Sequence, residues 1–449
     1  MNYVFEFNVV WDHLPELFEG ALLTIQLSAT AMALGLLVAI VCAYGKSAGP
    51  RPVRWLVADY VELIRNTPFL VQIFIFYFSL PVIGLRLTAN TAALAAMTVN
   101  LGAYASEIVR AGIEAIPHGQ VEAARALGLK RLQIFRFIII FPALKTVYPA
   151  LASQFILLML SSSVVSTISA VELTAITNSL ASTTSDPSSS TSWRPAFTSR
   201  WRSASEPASA PSTGPCSSAA GRREIAMARS FGTAEFLFLL EAIPSTLLLS
   251  LGALAGGAIV GLFVAILRIV PSRPLRWLAT GYIGLFQGTP VLMQLFVTYY
   301  GLAVLFRIQV DAWPAVLLCF SLYSGAFLGE IWRGSIEAIP RAQWEAAECL
   351  SLSFPKQLWY VILPQAARIS IPPTVGFAVQ LIKNTSIAAI IGFVELTRAG
   401  QLMTDATFKP MIVYPTVAAL YFLLCWPLSL LAQTLERRID ATLGISKHL

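Results

Sequence analysis

Ile113 to Leu129 reads IEAIPHGQVEAARALGL, and the chain returns to it as IEAIPRAQWEAAECLSL over Ile336 to Leu352. Glu122-Ala123-Ala124 and Glu345-Ala346-Ala347 lie 223 positions apart, and Glu107, Arg110, Glu114, Pro117 and Gln120 find Glu330, Arg333, Glu337, Pro340 and Gln343 at the same offset. That register makes the chain two parallel copies of one unit. Any fold must be buildable twice, with a charged stretch set between very apolar runs each time.

The stretch reads as a helix, a turn and a second helix outside the bilayer. Pro117 stops the first helix or restarts the next, and Gly128 permits the left-handed conformation that ends one. Ala123 and Ala124 leave a smooth surface beside the acceptor Glu122, a shape suited to another protein's cleft. An ordinary amphipathic loop helix would explain one copy as well; the repetition favours docking.

Of 449 residues 56% are hydrophobic and 12% charged, with a mean hydropathy of +0.69, whereas soluble domains carry about 25% charged residues. The chain therefore reads as an all-α polytopic membrane protein. Its formal charge of +7 does not point to nucleic acid, because the basic residues fall in short clusters between apolar runs, the distribution that orients membrane spans. Cys42, Cys216, Cys319, Cys349 and Cys425 show no paired spacing and His13, His118 and His448 form no cluster, so neither a metal site nor a disulfide framework is expected. Glu6 and Asp12 precede the first apolar run without a basic residue, unlike a cleavable signal peptide.

At about 1.5 Å per residue, Leu17 to Ala43 can cross a hydrocarbon core of about 30 Å. Lys46, Arg51 and Arg54 follow it and mark the cytoplasmic side, which places the N-terminus outside. Further spans are expected at Leu56 to Leu80, Ala89 to Val109 and Val147 to Ile168. The second unit repeats them at Phe236 to Ile269, Leu278 to Val304, Trp313 to Trp332 and Ile371 to Ile391, and adds a fifth at Tyr414 to Leu435. Arg110 to Lys145 and Arg333 to Arg368 then become cytoplasmic loops.

Arg65-Asn66-Thr67-Pro68 interrupts the second span, and Gln287-Gly288-Thr289-Pro290 interrupts its counterpart. A kink frees backbone groups inside the membrane, which is tolerated against protein or a water-filled cavity. Thr67, Pro68, Gln72, Thr289, Pro290 and Gln294 are thus candidates for a translocation path, with a packing kink as the equal alternative. Lys383 sits within a span, where a charge costs about 2.5 to 3.5 kcal/mol on insertion scales. It meets an anionic group of a solute or pairs with an acid such as Glu395 or Glu330.

Glu-Ala-Ala, three residues, Gly, nine residues, then an apolar residue, a spacer and Leu-Pro resembles the cytoplasmic loop of ABC importer permeases. The second copy ends that pattern at Leu363-Pro364 but has Ser351 in place of Gly; the first has Phe141-Pro142 one place later. Thr-Pro, two residues, Gln, then apolar and aromatic residues is similar to amino-acid importer permeases of the histidine and glutamine type. The resemblance implies that Glu122, Ala123, Ala124 and Gly128, with Glu345, Ala346, Ala347 and Ser351, dock on two separate ATPase subunits. It also implies an external amino-acid-binding protein that delivers polar amino acids, an inner-membrane location and, as a further option, another permease subunit. The chain holds no Gly-x-x-x-x-Gly-Lys-Ser/Thr phosphate loop, so it is read as a transport subunit that is not an enzyme and binds no cofactor, with ATP on its partner. An ion-coupled secondary transporter is the alternative class, though it would more often show inverted repeats and intramembrane acids.

The division reads as 1–184 for the first unit, 185–226 as an intervening stretch and 227–449 for the second unit. The first unit's fifth span should begin near position 191, opposite Tyr414, yet Ser185 to Ile225 is rich in Ser, Pro, Ala and Arg. At face value it is a disordered linker, but a linker should follow the fifth span and not replace it. A reading-frame error accounts for both facts. When each codon from Ser185 to Ala219 is re-read as the last base of its predecessor plus its own first two, every UCN serine becomes Phe, Leu, Ile or Val. One choice of codons gives an apolar run whose first tyrosine falls at 191. Glu224 can then yield a UGA stop just before Met227, a start codon. The chain thus resembles two adjacent permease genes joined by loss of a base near Thr184.

Overall fold

In this computed structural model the described residues are 7–184, 230–270, 272–306 and 310–442. The intervening stretch 185–226, on which the reading-frame hypothesis rests, lies outside them. Among the described residues every regular element is helical. The first unit comprises α1 (Leu14–Ala48), α2 (Arg51–Arg65), α3 (Phe69–Phe74), α4 (Ala89–Glu114), α5 (His118–Ala126), α6 (Ile140–Ser161) and α7 (Leu173–Thr184). The second repeats them as α8 (Ile243–Ile269), α9 (Arg273–Gly288), α10 (Val291–Phe296), α11 (Ala312–Glu337), α12 (Arg341–Cys349), α13 (Leu363–Asn384) and α14 (Leu396–Thr407), then adds α15 (Pro410–Thr442).

Among the described residues seven helices are long and apolar enough to cross a membrane, or eight if one bent pair counts as a span. The sequence reading gave nine, and the difference lies at the Thr-Pro stretches. The expected span Leu56 to Leu80 is instead α2 and a second segment, Phe69–Ile83, meeting at a 108° bend. Leu278 to Val304 is likewise divided between α9 and a short apolar helix beginning at Val291. The physical reason is local. Asp59, Glu62 and Arg65 make α2 amphipathic and ill suited to hydrocarbon, and Pro68 removes the N–H that would continue it.

Within each unit the first and third long helices pack most closely. Small residues make this possible: a Cβ on Gly102 would come 2.7 Å from a Val38 methyl, and one on Gly257 would come 2.3 Å from Cβ of Ser324. Such contacts let backbones approach in lipid, where helices gain little from hydrophobic association. Tyr60 and Tyr282 fix the neighbouring helices identically, donating to the carbonyls of Val99 at 2.6 Å and Leu322 at 2.5 Å.

The two units pack against each other as one bundle. The α15 helix of the second unit lies over α3 of the first, with the Tyr414 and Phe74 rings 5.2 Å apart. Ser79 donates to the Pro410 carbonyl at 3.0 Å, and Ser429 donates to Asn66 Oδ1 at 2.7 Å.

Candidate translocation path and docking helices

The break in each unit carries the same clasp. Gln72 Nε2 donates to the carbonyls of Ile64 at 2.9 Å and Thr67 at 3.2 Å, and to Thr67 Oγ1 at 2.9 Å. Gln294 Nε2 repeats this with Phe286 at 2.8 Å and with the carbonyl and hydroxyl of Thr289, each at 3.0 Å. A proline break strands the last carbonyls of the preceding helix, and one amide that reaches back eight residues satisfies them. Gln72 and Gln294 are therefore placed to hold the bend, whereas Thr67 and Thr289 also line a cavity. The acceptor side is asymmetric: Asn100 Nδ2 donates to Gln72 Oε1 at 3.0 Å, while the buried Oε1 of Gln294 has no partner among the described residues.

That cavity, of about 190 Å³, lies between the two units and is lined by Asn100, Gln154, Ser161, Ser163, Gln287, Gln380 and Asn384 among others. A second, of about 680 Å³, extends past Asn66, Arg65 and Glu62 to Ala338, Gln433 and Glu436 at the polar-loop end. Tyr104, Gln380 and Lys383 line both. Lys383 is 7% exposed, and its ammonium donates to the Arg65 carbonyl at 2.8 Å and the Tyr104 hydroxyl at 2.7 Å. Neither acid suggested by the sequence is its partner. Glu395 caps α14 through the N–H groups of Thr397 and Arg398 and accepts from Tyr421, and Glu330 is engaged by Arg333. Tyr104 is a residue the sequence reading missed. Its position in the first unit, 279 positions from Lys383, left no local signal.

The polar loops form α5 and α12, each starting after its proline. Glu122, Ala123, Glu345 and Ala346 face outward, while Ala124 and Ala347 are buried and seat the helices on their units. Gly128 ends α5 at φ 77°, and Ser351 ends α12 at φ 55°. The closing bonds match: Gly128 N–H to Arg125 and Leu129 N–H to Ala124 in one copy, Ser351 N–H to Glu348 and Leu352 N–H to Ala347 in the other. A serine thus takes the left-handed turn that the motif reserves for glycine. Beside each turn an apolar side chain stands exposed, Leu127 and Leu350.

At the base of each loop an acid joins two helices. Glu107 accepts from Lys46 of α1 at 2.7 Å and from Arg110 at 3.1 Å, and Arg110 also pairs with Glu114. Glu330 pairs with Arg333 and more distantly with Arg268 at 3.9 Å, and Arg333 reaches Glu337.

A duplicated helical membrane unit, with matching breaks, cavities between the copies and an exposed helix on each polar loop, is the architecture of a transport permease. The chain belongs to the family described as binding-protein-dependent transport system inner membrane component, whose sequence profile matches residues 32–191 and 257–441. It is 40% identical over 185 residues to the L-cystine transport system permease protein TcyB of Bacillus subtilis, covering 41% of this chain and 79% of that protein. The probable glutamine ABC transporter permease protein GlnM of the same organism is 33% identical over 205 residues, covering 46% and 94%. The glutamine transport system permease protein GlnP of Escherichia coli is 33% identical over 202 residues, covering 45% and 92%. A solved structure titled as an amino acid ABC transporter with histidines is 29% identical and covers 47% of this chain and 100% of its own, with a TM-score of 0.44. The chain is a multi-pass membrane protein and the permease component of such a transport system.

Proposed function

We propose that this single chain forms the paired permease core of an importer for polar amino acids, powered by ATP that separate subunits hydrolyse. The observation that carries this reading is the buried Lys383 ammonium at the junction of two cavities between the units, one lined by neutral amides and hydroxyls and the other also by Glu62, Arg65 and Glu436. An ammonium suits a carboxylate, and Asn100, Gln154, Gln380 and Asn384 suit an ammonium or a side-chain amide. The names of the cystine and glutamine relatives support the same solute class.

Two ATPase subunits dock at α5 and α12, where Glu122-Ala123 and Glu345-Ala346 present the same outward surface, and an external binding protein delivers the solute. Ala124, Gly128, Ala347 and Ser351 shape those helices. Thr67, Pro68 and Gln72, with Thr289, Pro290 and Gln294, hold the broken segments beside the path. Closure of the ATPases displaces α5 and α12, and the ion pairs at the loop bases carry that displacement to α1 and α8.

The test is uptake of labelled amino acids into vesicles containing the chain, its ATPase and its binding protein. ATP-dependent uptake of a polar amino acid is expected, and Glu122→Arg with Glu345→Arg should abolish it without loss of membrane insertion. Uptake that continues without the ATPase under an ion gradient would overturn the proposal in favour of a secondary transporter.

A further inference from the structure

The second unit's fifth helix, α15, has no counterpart among the described residues of the first unit, and the place it would occupy can be located by the repeat. In the second unit, α15 packs with Val379 and Ile382 of α13 and Leu396 of α14 in one core cluster. Val379 and Ile382 are each 5% exposed, but their counterparts 223 positions earlier, Ile156 and Met159, are 54% and 41% exposed. Leu173, opposite the fully buried Leu396, is exposed too. Across the unit boundary α15 also covers Val71 and packs against Ile75. Their counterparts in the second unit, 222 positions on, are Met293, only partly buried, and the exposed Val297. Lipid accepts apolar side chains, so exposure alone decides nothing; the repeat shows that this surface is shaped for a helix.

Polar chemistry points the same way. Glu395 accepts from the Tyr421 hydroxyl of α15 as well as from the backbone of α14. Its counterpart Glu172 is 1% exposed and accepts from the N–H of Ala175 at 2.8 Å, but no tyrosine reaches it among the described residues. The family match agrees independently: its first segment stops at 191, the counterpart of Tyr414, while its second runs on to 441.

We propose that the groove bounded by Ile156, Met159 and Leu173 on the first unit and Met293 and Val297 on the second receives one further apolar membrane helix. That helix is the product of codons 185–219 read one base upstream, whose residue opposite Tyr421 donates a hydrogen bond to Glu172. Position 198 lies opposite Tyr421, and the sequence there is Phe197-Thr198. The last base of any phenylalanine codon is U or C and any threonine codon begins AC, so the shifted codon is UAC or CAC. It encodes tyrosine or histidine, both hydrogen-bond donors, whichever codons the gene uses. The groove's occupant does not depend on which solute is carried.

The test supplies the missing helix to the full chain. A tagged peptide with the shifted translation of codons 185–219 is co-expressed in the membrane with a chain carrying p-benzoylphenylalanine at Met159, or at the exposed Leu37 of α1 as a control. Light-dependent cross-linking at Met159 should exceed that at Leu37 several-fold. It should also exceed that of a scrambled peptide of the same composition, and fall several-fold when phenylalanine replaces the residue opposite Tyr421. No cross-link at Met159, or equal cross-linking by the scrambled peptide or at Leu37, would overturn the proposal. Transport plays no part in the readout, so a wrong solute assignment leaves it intact.

Discussion

The ammonium of Lys383, in the second unit, donates to the hydroxyl of Tyr104, in the first, at 2.7 Å, and lies 5.4 Å from the centre of the same ring. A membrane-buried cation is thereby held by the phenol oxygen and the Arg65 carbonyl, and among the described residues no acid pairs with it. Its charge remains available to an anionic group entering either cavity.

If Lys383 meets the solute's carboxylate, Lys383→Met should raise the KM for uptake by at least tenfold, since a hydrogen bond to a charged group contributes about 1.5 to 3 kcal/mol. Tyr104→Phe leaves the Arg65 carbonyl as an anchor and should raise KM less, by several-fold. Unchanged uptake kinetics in a Lys383→Met chain that inserts normally would restrict the lysine to packing.

The clasp at the two breaks predicts an asymmetry in stability. Gln72→Leu strands the carbonyls of Ile64 and Thr67 and also the amide of Asn100, whereas Gln294→Leu strands two carbonyls and removes an acceptor that is already unpartnered. Each unsatisfied buried group costs about 1 to 3 kcal/mol. Thermal unfolding in detergent should therefore show the larger loss for Gln72→Leu, with the difference abolished in an Asn100→Leu background.

What the sequence disclosed was what repeats or what backbone chemistry dictates. The common register exposed two units, and proline marked both breaks and both loop-helix starts, because a missing N–H acts locally. Proline marked the break but not its 108° angle, and the glutamine that reaches a carbonyl eight residues back across it has no sequence signature. Nor was the lysine's environment legible, built from a carbonyl and a phenol of the other unit. Ser351 read as a departure from the motif because serine rarely adopts positive φ; the hydrogen bonds around it are what impose the turn.

Ser351 therefore offers a stability test on a single backbone position. At φ 55° a non-glycine residue in the left-handed region carries a cost of about 1 to 2 kcal/mol. Ser351→Gly should protect the α12 backbone amides from hydrogen exchange up to about tenfold more strongly, and Gly128→Ser should weaken protection of α5 by a like factor. The space around Gly128 is open, with no atom within 4 Å of a Cβ built there, so any loss would report conformation and not a clash.

If ATPase subunits dock at α5 and α12 as proposed, the loop-base acids set how strongly each unit transmits their motion. Glu107 stands between Lys46 on α1 and Arg110 on its own helix, so Glu107→Gln leaves two cations facing a neutral amide and loosens α1 from the helix that leads into α5. In the second unit the corresponding tie from Arg268 to Glu330 is 3.9 Å long against 2.7 Å for Lys46 to Glu107. These groups are partly exposed, so each pair contributes at most about 1 kcal/mol, too little to unfold the bundle but enough to shift a conformational equilibrium several-fold. Glu107→Gln should lower the amino acids imported per ATP hydrolysed several-fold while ATPase binding to the chain stays constant. Glu330→Gln should lower it less, because its tie to α8 is already weak. The measurement is the ratio of uptake to phosphate release in the same vesicles. An unchanged ratio for Glu107→Gln would place the transmission of force elsewhere, in the buried Ala124 and Ala347 contacts that seat α5 and α12.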